Sequence, residues 1–370
     1  MKQSIPFQYD VVGSFLRSER LKEARENYQN GNISHEQLTK IEDEEIKKLV
    51  KKEEELGLKA VTDGEYRRSY WHLDFLEEIG GVERIAAEKW SVAFKGVQPK
   101  AATVKIVDRV HYQEHSFIKH FAYLNSIVSE GVVAKMTIPS PTMLHLICCV
   151  REAHYQPIAQ YQNNEEQLLH DIAKAYQGYI QAFYDAGCRY LQLDDTSWGE
   201  LCSIDKRSLY EGRGIDIEGL IQKYVALINE SISQKPDDMT ITMHICRGNF
   251  RSTWFSSGGY GPIAKELFGK CQVNGFFLEY DSERAGDFKP LKYIQNQKVV
   301  LGLITSKFPE LEDEETVIER IQEASQYVPM KQLCISTQCG FASTEEGNIL
   351  TEEEQWNKVK LVKRIAEKAL

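Results

Sequence analysis

Long apolar runs are missing from this chain. No stretch of eighteen or so hydrophobic residues occurs, so no segment reads as a membrane-spanning helix. Basic charge is also in short supply: 45 Lys and Arg against 55 Asp and Glu leave a net charge of −10. That argues against nucleic-acid binding, which calls for a basic face. The first residues, Met-Lys-Gln-Ser-Ile-Pro-Phe-Gln-Tyr-Asp, hold no apolar core of signal-peptide length, and a cytoplasmic protein is expected. With only 10 prolines in 370 residues, the chain shows no Pro/Ser-rich linker, no low-complexity stretch and no internal repeat. A single domain over 1–370 is the simplest account.

Eight cysteines are present, but a cytoplasmic setting favours free thiols and metal ligands over a disulfide framework. Cys148, Cys149, Cys188, Cys202, Cys271 and Cys334 have no partner at ligand spacing and are expected as small buried hydrophobes.

Strand-like runs at 9–14, 59–65, 132–140, 190–195, 239–246, 275–281, 299–306 and 332–339 alternate with helical segments. This is the pattern of a parallel sheet with crossover helices, and eight such runs fit an α/β (β/α)8 TIM barrel. The segment 164–187 spaces Leu168, Ile172, Ala175, Tyr176, Ile180 and Phe183 along one helix face. Helices are likewise expected at 34–58, 215–232, 260–268, 312–327 and 351–370, the last opening on a capping box at Thr351-Glu-Glu-Glu. Residues 87–114 alternate apolar and polar positions about a turn at 96–100. They read as a β-hairpin, an insertion at about 83–115 lying over one end of the barrel.

Polar residues close many of these runs, at the strand ends where such barrels carry their chemistry. His244 and Cys246 end the fifth run, Glu279 the sixth and Cys339 the eighth. Side chains two apart on a strand share a face, so His244 and Cys246 can meet one ion. One imidazole, two thiolates and a displaceable carboxylate suit Zn2+, a borderline-soft ion, in a site that activates a thiol. Glu65 and Asp194 end apolar runs where an unpaired charge is costly, and they could bind a substrate ammonium group. Asp63 and Asp195 serve equally well as helix caps or as partners of Arg67 and Arg68. Gly13 and Ser14 could offer a backbone N–H and a hydroxyl to a substrate carboxylate. Lys135, Arg247 and Lys307 are expected to be solvated, with Lys307 on the rim facing the site. Of His72, His145 and His244, only His244 has metal-ligand company.

The ordered set Val-Gly-Ser-Phe (12–15), Asp-Gly-Glu (63–65), Leu-Gln-Leu-Asp-Asp (191–195), Met-His-Ile-Cys, Leu-Glu-Tyr and Gln-Cys-Gly resembles the catalytic barrel of the cobalamin-independent methionine synthase family, over most of the chain. The resemblance implies zinc on His244, Cys246, Glu279 and Cys339, and homocysteine held by Ser14, Glu65 and Asp194. It also implies methyl transfer to the homocysteine thiol to give methionine, as a step of methionine biosynthesis. Lys307 takes the place of the family's histidine general acid, and Leu146 that of its folate-stacking tryptophan. The family's second, N-terminal barrel has no counterpart here.

These departures leave the donor open among methyl-tetrahydrofolate, a methylcorrinoid and a small methylated compound. An alkyltransferase or lyase acting on another thiol such as coenzyme M remains the alternative. A non-catalytic binding barrel and a uroporphyrinogen-type decarboxylase barrel are more distant readings. The expected partners are small molecules, with neither nucleic acid nor membrane, and the oligomeric state, a homodimer among the options, is open.

Overall fold

The computed structural model describes residues 5–86 and 102–370. Seven parallel strands, β1 (Ala60–Val61), β4 (Val133–Pro139), β5 (Tyr190–Asp195), β6 (Thr240–Ile245), β7 (Gly275–Glu279), β8 (Lys298–Ile304) and β9 (Leu333–Thr337), lie side by side in chain order. The remaining two, β2 (Gly80–Ala86) and β3 (Ala102–His111), form a separate antiparallel pair. Chain order matching spatial order is what successive strand–helix–strand crossovers produce.

The first expected run is extended backbone that closes the sheet without forming a full ladder. Tyr9 bridges Ile335 in parallel, and the Asp10 and Ile335 amides donate to Ile335 and Gln8 carbonyls at 3.1 and 2.9 Å. Beyond β1, the Phe15 amide donates to the Gly64 carbonyl at 3.1 Å, and the Thr62 hydroxyl donates to the Gly13 carbonyl at 2.6 Å. The expected barrel is thus present, with this segment as its eighth stave.

Strand parity decides which side chains enter the lumen. Val12, Phe277, Val300 and Cys334 pack together inside it, so Tyr190, Gln192 and Asp194 point inward and Asp195 outward. Asp195 accordingly accepts from the Ser197 amide and the Thr142 hydroxyl, at 2.7 and 2.6 Å, where the short helix Ser197–Leu201 begins. Deeper in the lumen, Lys135 lies 3.2 Å from Asp10 and donates to the Val11 carbonyl at 2.6 Å, while the Tyr190 hydroxyl reaches Asp10 at 2.7 Å. A buried charge persists only when paired and hydrogen-bonded, which is why Lys135 is enclosed and not solvated as its composition alone suggests.

The expected helices form. Glu165–Asp185 buries Leu168, Ile172, Ala175, Tyr176, Ile180 and Phe183, and capping boxes open both His35–Glu55 and Glu352–Ala369. Ile217–Ile232, Gly261–Lys270 and Glu314–Ala324 complete that set. Helices Glu19–Gln29 and Ser116–Ile127 are additional. The first arm of the hairpin starts at Gly80, ahead of the expected position, and pairs Val82 with Ile106. Gly81, at φ +85°, sits where a Cβ would come within 2.5 Å of the Arg109 carbonyl oxygen. The expected turn at 96–100 falls outside the described residues. Arg109 pairs with Asp171 at 2.8 Å and fixes the second arm against the helix Glu165–Asp185.

Candidate active site

At the carboxyl ends of β6, β7 and β9, His244, Cys246, Glu279 and Cys339 converge. One potential ligand atom from each lies within 4.8 Å of all the others, and all four residues are buried. The two sulfurs stand 3.7 Å apart. Thiolates bound tetrahedrally at about 2.3 Å from zinc would be separated by roughly 3.8 Å, so the spacing suits a shared ion. Neither ring nitrogen of His244 has an oxygen or nitrogen partner; the ring interacts with the Cys339 sulfur, a weak pairing for a buried imidazole that a ligand would improve. The donor set and the poorly paired imidazole therefore fit zinc.

Neighbouring groups tune the cluster. The Gly248 amide points at the Cys246 sulfur at 3.3 Å. The Cys246 thiol, donating to Cys339, holds Cys339 well below the usual thiol range and raises its own. Burial pushes the Glu279 carboxyl up, but Arg284, Lys307 and Arg247 outweigh it and the net shift is downward. Its oxygens accept from the Arg247 amide at 3.0 Å and from Arg284 Nη2 at 3.1 Å. Arg247 is fully enclosed, its guanidinium bonded to the Tyr260 hydroxyl and the Gly258 carbonyl. Lys307 is also enclosed and not on the rim: Nζ donates to Asn249 Oδ1 at 2.8 Å and to the Gly248 carbonyl at 3.2 Å. Both departures from the expected solvated state follow from strand-end carboxylates that need buried cations nearby.

A cavity of about 740 Å3, counting its open mouth, adjoins the cluster and is lined by Ser14, Glu65, Asp194, His244, Cys246 and Cys339 among others. Glu65 holds a left-handed backbone, φ 60°, a strained state for a non-glycine residue and one that clusters at functional sites. Its Oε1 accepts from the Thr137 hydroxyl at 2.9 Å and faces Arg68 at 3.4 Å, whereas Oε2 is buried without a partner. Burial raises its carboxyl despite Arg68 and Arg17. Asp194 is pushed up to about 7 by burial, against His244 and with Glu65 adding to the rise. Gln192 donates to it at 2.7 Å. Two buried carboxylates in one cavity are both destabilised as anions, and a cation placed between them would relieve that.

Ser14 Oγ accepts from the Ala342 amide at 3.2 Å. Gly13 packs against Thr137, and at Gly340 a Cβ would fall 1.9 Å from Ser14 Oγ. Asp63 accepts from the Glu65 amide at 2.9 Å and helps set that turn. Arg67 is paired with Glu42 and Asp43, away from both Asp63 and Asp195. His145 bonds Tyr224 and Glu165. Of the six remaining cysteines, five are buried and Cys149 is partly so.

The cavity is also lined by residues beyond the strand ends, which strand-end reasoning does not reach: Tyr70, Trp71 and His72 after β1, Met143 in the helix Pro141–His145, Arg151, Thr196, Phe250 and Phe255. Leu146 is sealed in the core and takes no part. The only available signal was the aromatic pair Tyr70-Trp71 soon after a strand end.

The chain matches the family described as "Cobalamin-independent synthase, Catalytic domain" over residues 7–367. It is 47% identical to the uncharacterized protein YxjG of Bacillus subtilis, across 98% of this chain and 94% of that protein. Methionine synthase of Saccharolobus solfataricus is 24% identical, covering 90% of this chain and 87% of that one. A solved structure from Listeria monocytogenes, described as a putative vitamin-B12 independent methionine synthase, superposes with a TM-score of 0.80 at 47% identity, over 100% and 99% of the two chains. A B12-independent methionine synthase from Shewanella sp. W3-18-1, solved with selenomethionine, shares the fold at a TM-score of 0.71 and 18% identity, covering 98% and 97%. Among the described residues, no helix is long and apolar enough to cross a membrane.

Proposed function

This chain belongs to the cobalamin-independent synthase catalytic-domain family, as a methyltransferase of the methionine synthase type, and from that premise we propose that it methylates the thiol of homocysteine to give methionine in a zinc-dependent reaction. The observation that carries this reading is a single cavity lined by His244, Cys246 and Cys339 of the four-residue ligand cluster together with Glu65, whose second carboxylate oxygen is unpartnered. An amino-acid thiol needs both: a soft site for sulfur and an anion for its ammonium group.

Ser14 and the Gly13 backbone would receive the substrate carboxylate, and Glu65 with Asp194 the ammonium. Zinc on His244, Cys246, Cys339 and Glu279 would favour the thiolate form of the substrate sulfur. The residues then act by position. The cluster holds sulfur at the cavity floor, Thr137 and Arg68 orient Glu65, and the outer loops keep water from the line of methyl transfer. The methyl carbon leaves its donor with the electron pair of the old bond remaining behind, the sulfur lone pair forms the new bond, and the thiol proton departs. Asp194, with its carboxyl near neutrality, is suited to hold or release a proton. Lys307 supports the site as a buried cation that steadies Asn249. The selenomethionine in the Shewanella neighbour is the selenium counterpart of the proposed product. An amino-acid thiol is favoured over coenzyme M because the latter has no ammonium for the two carboxylates.

The test is direct. Zinc-loaded protein is incubated with homocysteine and, in turn, methyl-tetrahydrofolate, a methylcorrinoid and small methylsulfonium or methylthio compounds, with methionine as the readout. No methionine from any donor refutes the reading.

A further inference from the structure

Behind the ligand cluster, the loops after β6, β8 and β9 meet at one side chain. Asn249 lines the cavity and is 6% exposed. Its Nδ2 donates to the Gly340 carbonyl at 2.8 Å and to Ser343 Oγ at 3.0 Å. Its Oδ1 accepts from Lys307 Nζ at 2.8 Å and from Asn348 Nδ2 at 3.0 Å. An amide side chain has two N–H donors and two acceptor lone pairs, so Asn249 is saturated, and a buried network in that state is rigid. Each end of the network reaches a thiol. Gly340 directly follows Cys339, and its carbonyl takes a second bond from Ser306 Oγ at 2.8 Å. Lys307 Nζ also donates to the Gly248 carbonyl at 3.2 Å, while the Gly248 amide points at Cys246 Sγ at 3.3 Å. Gly248 holds φ +98°, a left-handed turn that favours glycine. Lys307 is fully enclosed and is not among the residues that line the cavity, so its ammonium meets no substrate and reaches the site through Asn249, Gly248 and its charge.

We propose that Asn249 is the positioning residue that sets the two thiols at metal-binding spacing, joining the loop of Cys246 to the loop of Cys339, and that Lys307 is the fixed post of this clamp and not a proton donor. The assignment rests on the zinc reading of the four-residue cluster and deepens it. Metal ligands are oriented by the groups behind them, and loss of one such group typically costs about 10- to 100-fold in metal affinity. The same clamp holds Gly340 against Ser14, where a Cβ would fall 1.9 Å from Oγ. The metal floor and the proposed contact for the substrate carboxylate therefore share one support.

The experiment measures the zinc affinity of the full-length protein by competition with a chromogenic chelator, and the thiolate-to-metal absorption of cobalt-substituted protein at saturating cobalt. Asn249→Ala should weaken zinc about 10- to 100-fold and alter the absorption per bound cobalt, a change that lost stability alone does not produce. Asn249→Asp keeps the acceptor for Lys307 but loses both Nδ2 donors, so it should weaken zinc as much as Asn249→Ala does. It decides the matter if the alanine variant does not fold. Ser306→Ala, which removes one of the two donors to the Gly340 carbonyl, should weaken zinc about threefold. Lys307→Met should weaken it about tenfold and, with zinc saturating, leave the shape of the pH profile of kcat unchanged. Zinc affinity within about twofold of the parent in the Asn249 variants, or an absorption band unchanged in both, overturns the proposal. So does a Lys307→Met variant that keeps its zinc but loses the basic limb of the pH profile, which would make the ammonium the proton donor. A parent protein that binds no zinc sinks the cluster itself, whereas absence of methionine from every donor sinks only the methyltransferase reading and leaves the affinity measurements standing.

Discussion

Cys246 Sγ and Cys339 Sγ stand 3.7 Å apart, although 93 residues separate them in the chain. Nothing but the barrel brings them together, one just past the end of β6 and the other just past the end of β9. Two buried thiols at that spacing, beside an imidazole with no oxygen or nitrogen partner, are poorly stabilised by each other and well suited to a shared tetrahedral ion. Cys246→Ser and Cys339→Ser should each lower bound zinc from about one per chain to under about 0.2. Methionine formation should fall by roughly a thousandfold or more, with the circular dichroism spectrum unchanged. Metal analysis after gel filtration checks this, and full metal content in both variants would remove the site.

Glu65 faces the cavity with one carboxylate oxygen committed to Thr137 and the other without a partner. If that free oxygen takes the ammonium of homocysteine, Glu65→Gln removes a charge-assisted bond worth about 1.5–3 kcal/mol. The KM for homocysteine should rise roughly 10- to 150-fold, with zinc content intact. Thr137→Val, which only loosens the carboxylate, should give a smaller rise in the same parameter. Steady-state kinetics at saturating donor separates the two, and an unchanged KM in Glu65→Gln would leave the carboxylate without a ligand role.

The contact between Gly340 and Ser14 gives a steric prediction. A methyl group at Gly340 would overlap Ser14 Oγ at 1.9 Å, so Gly340→Ala must push the hydroxyl or the backbone aside. Overpacking of this kind costs about 1–3 kcal/mol. Urea unfolding should show that loss, and homocysteine should bind more weakly because its carboxylate contact has moved. Gly340→Ala with wild-type affinity would mean that Ser14 is not part of the acceptor site.

The residues legible in sequence are those whose chemistry is at odds with their surroundings. His244, Cys246, Glu279 and Asp194 end apolar strands, and period-two alternation tells which of them share a face. Applied to β5, the same alternation separates Asp194, facing the lumen, from Asp195, which accepts from the Ser197 amide outside it, yet it needs the strand register before it can be used. The buried state of Lys135 and Lys307 is not local information, because each is offset by a carboxylate or carbonyl from a distant segment, and that of Arg247 depends on how the loop to Gly258 folds back. The collar of Trp71, His72, Arg151 and Phe255 lies on loops with no periodicity, so only the closed barrel shows that it belongs to the site. The closing segment has a strand-like apolar pattern, yet its bonds to β9 and to Gly64 satisfy its backbone without a ladder.

His72 links this collar to stability. Burial, with Arg151 and Arg84 adding to it, lowers its imidazole to about 3 from an ordinary value of 6.5. Between those two values the unfolded chain takes up a proton that the folded chain refuses, so acid favours unfolding there and stability rises with pH. A single such group tilts the unfolding free energy by at most about 1.4 kcal/mol per pH unit. That slope is half its maximum at pH 6.5 and fades above it. His72→Phe keeps an aromatic ring in the wall and removes the titration. Urea midpoints measured from pH 7 to pH 4 should therefore fall less steeply in the variant than in the parent, and the two curves should run parallel above pH 7. Equal slopes through the acid range would mean that the imidazole protonates in the folded state as readily as in the unfolded one, and that its place against Arg151 is less enclosed than the packing indicates.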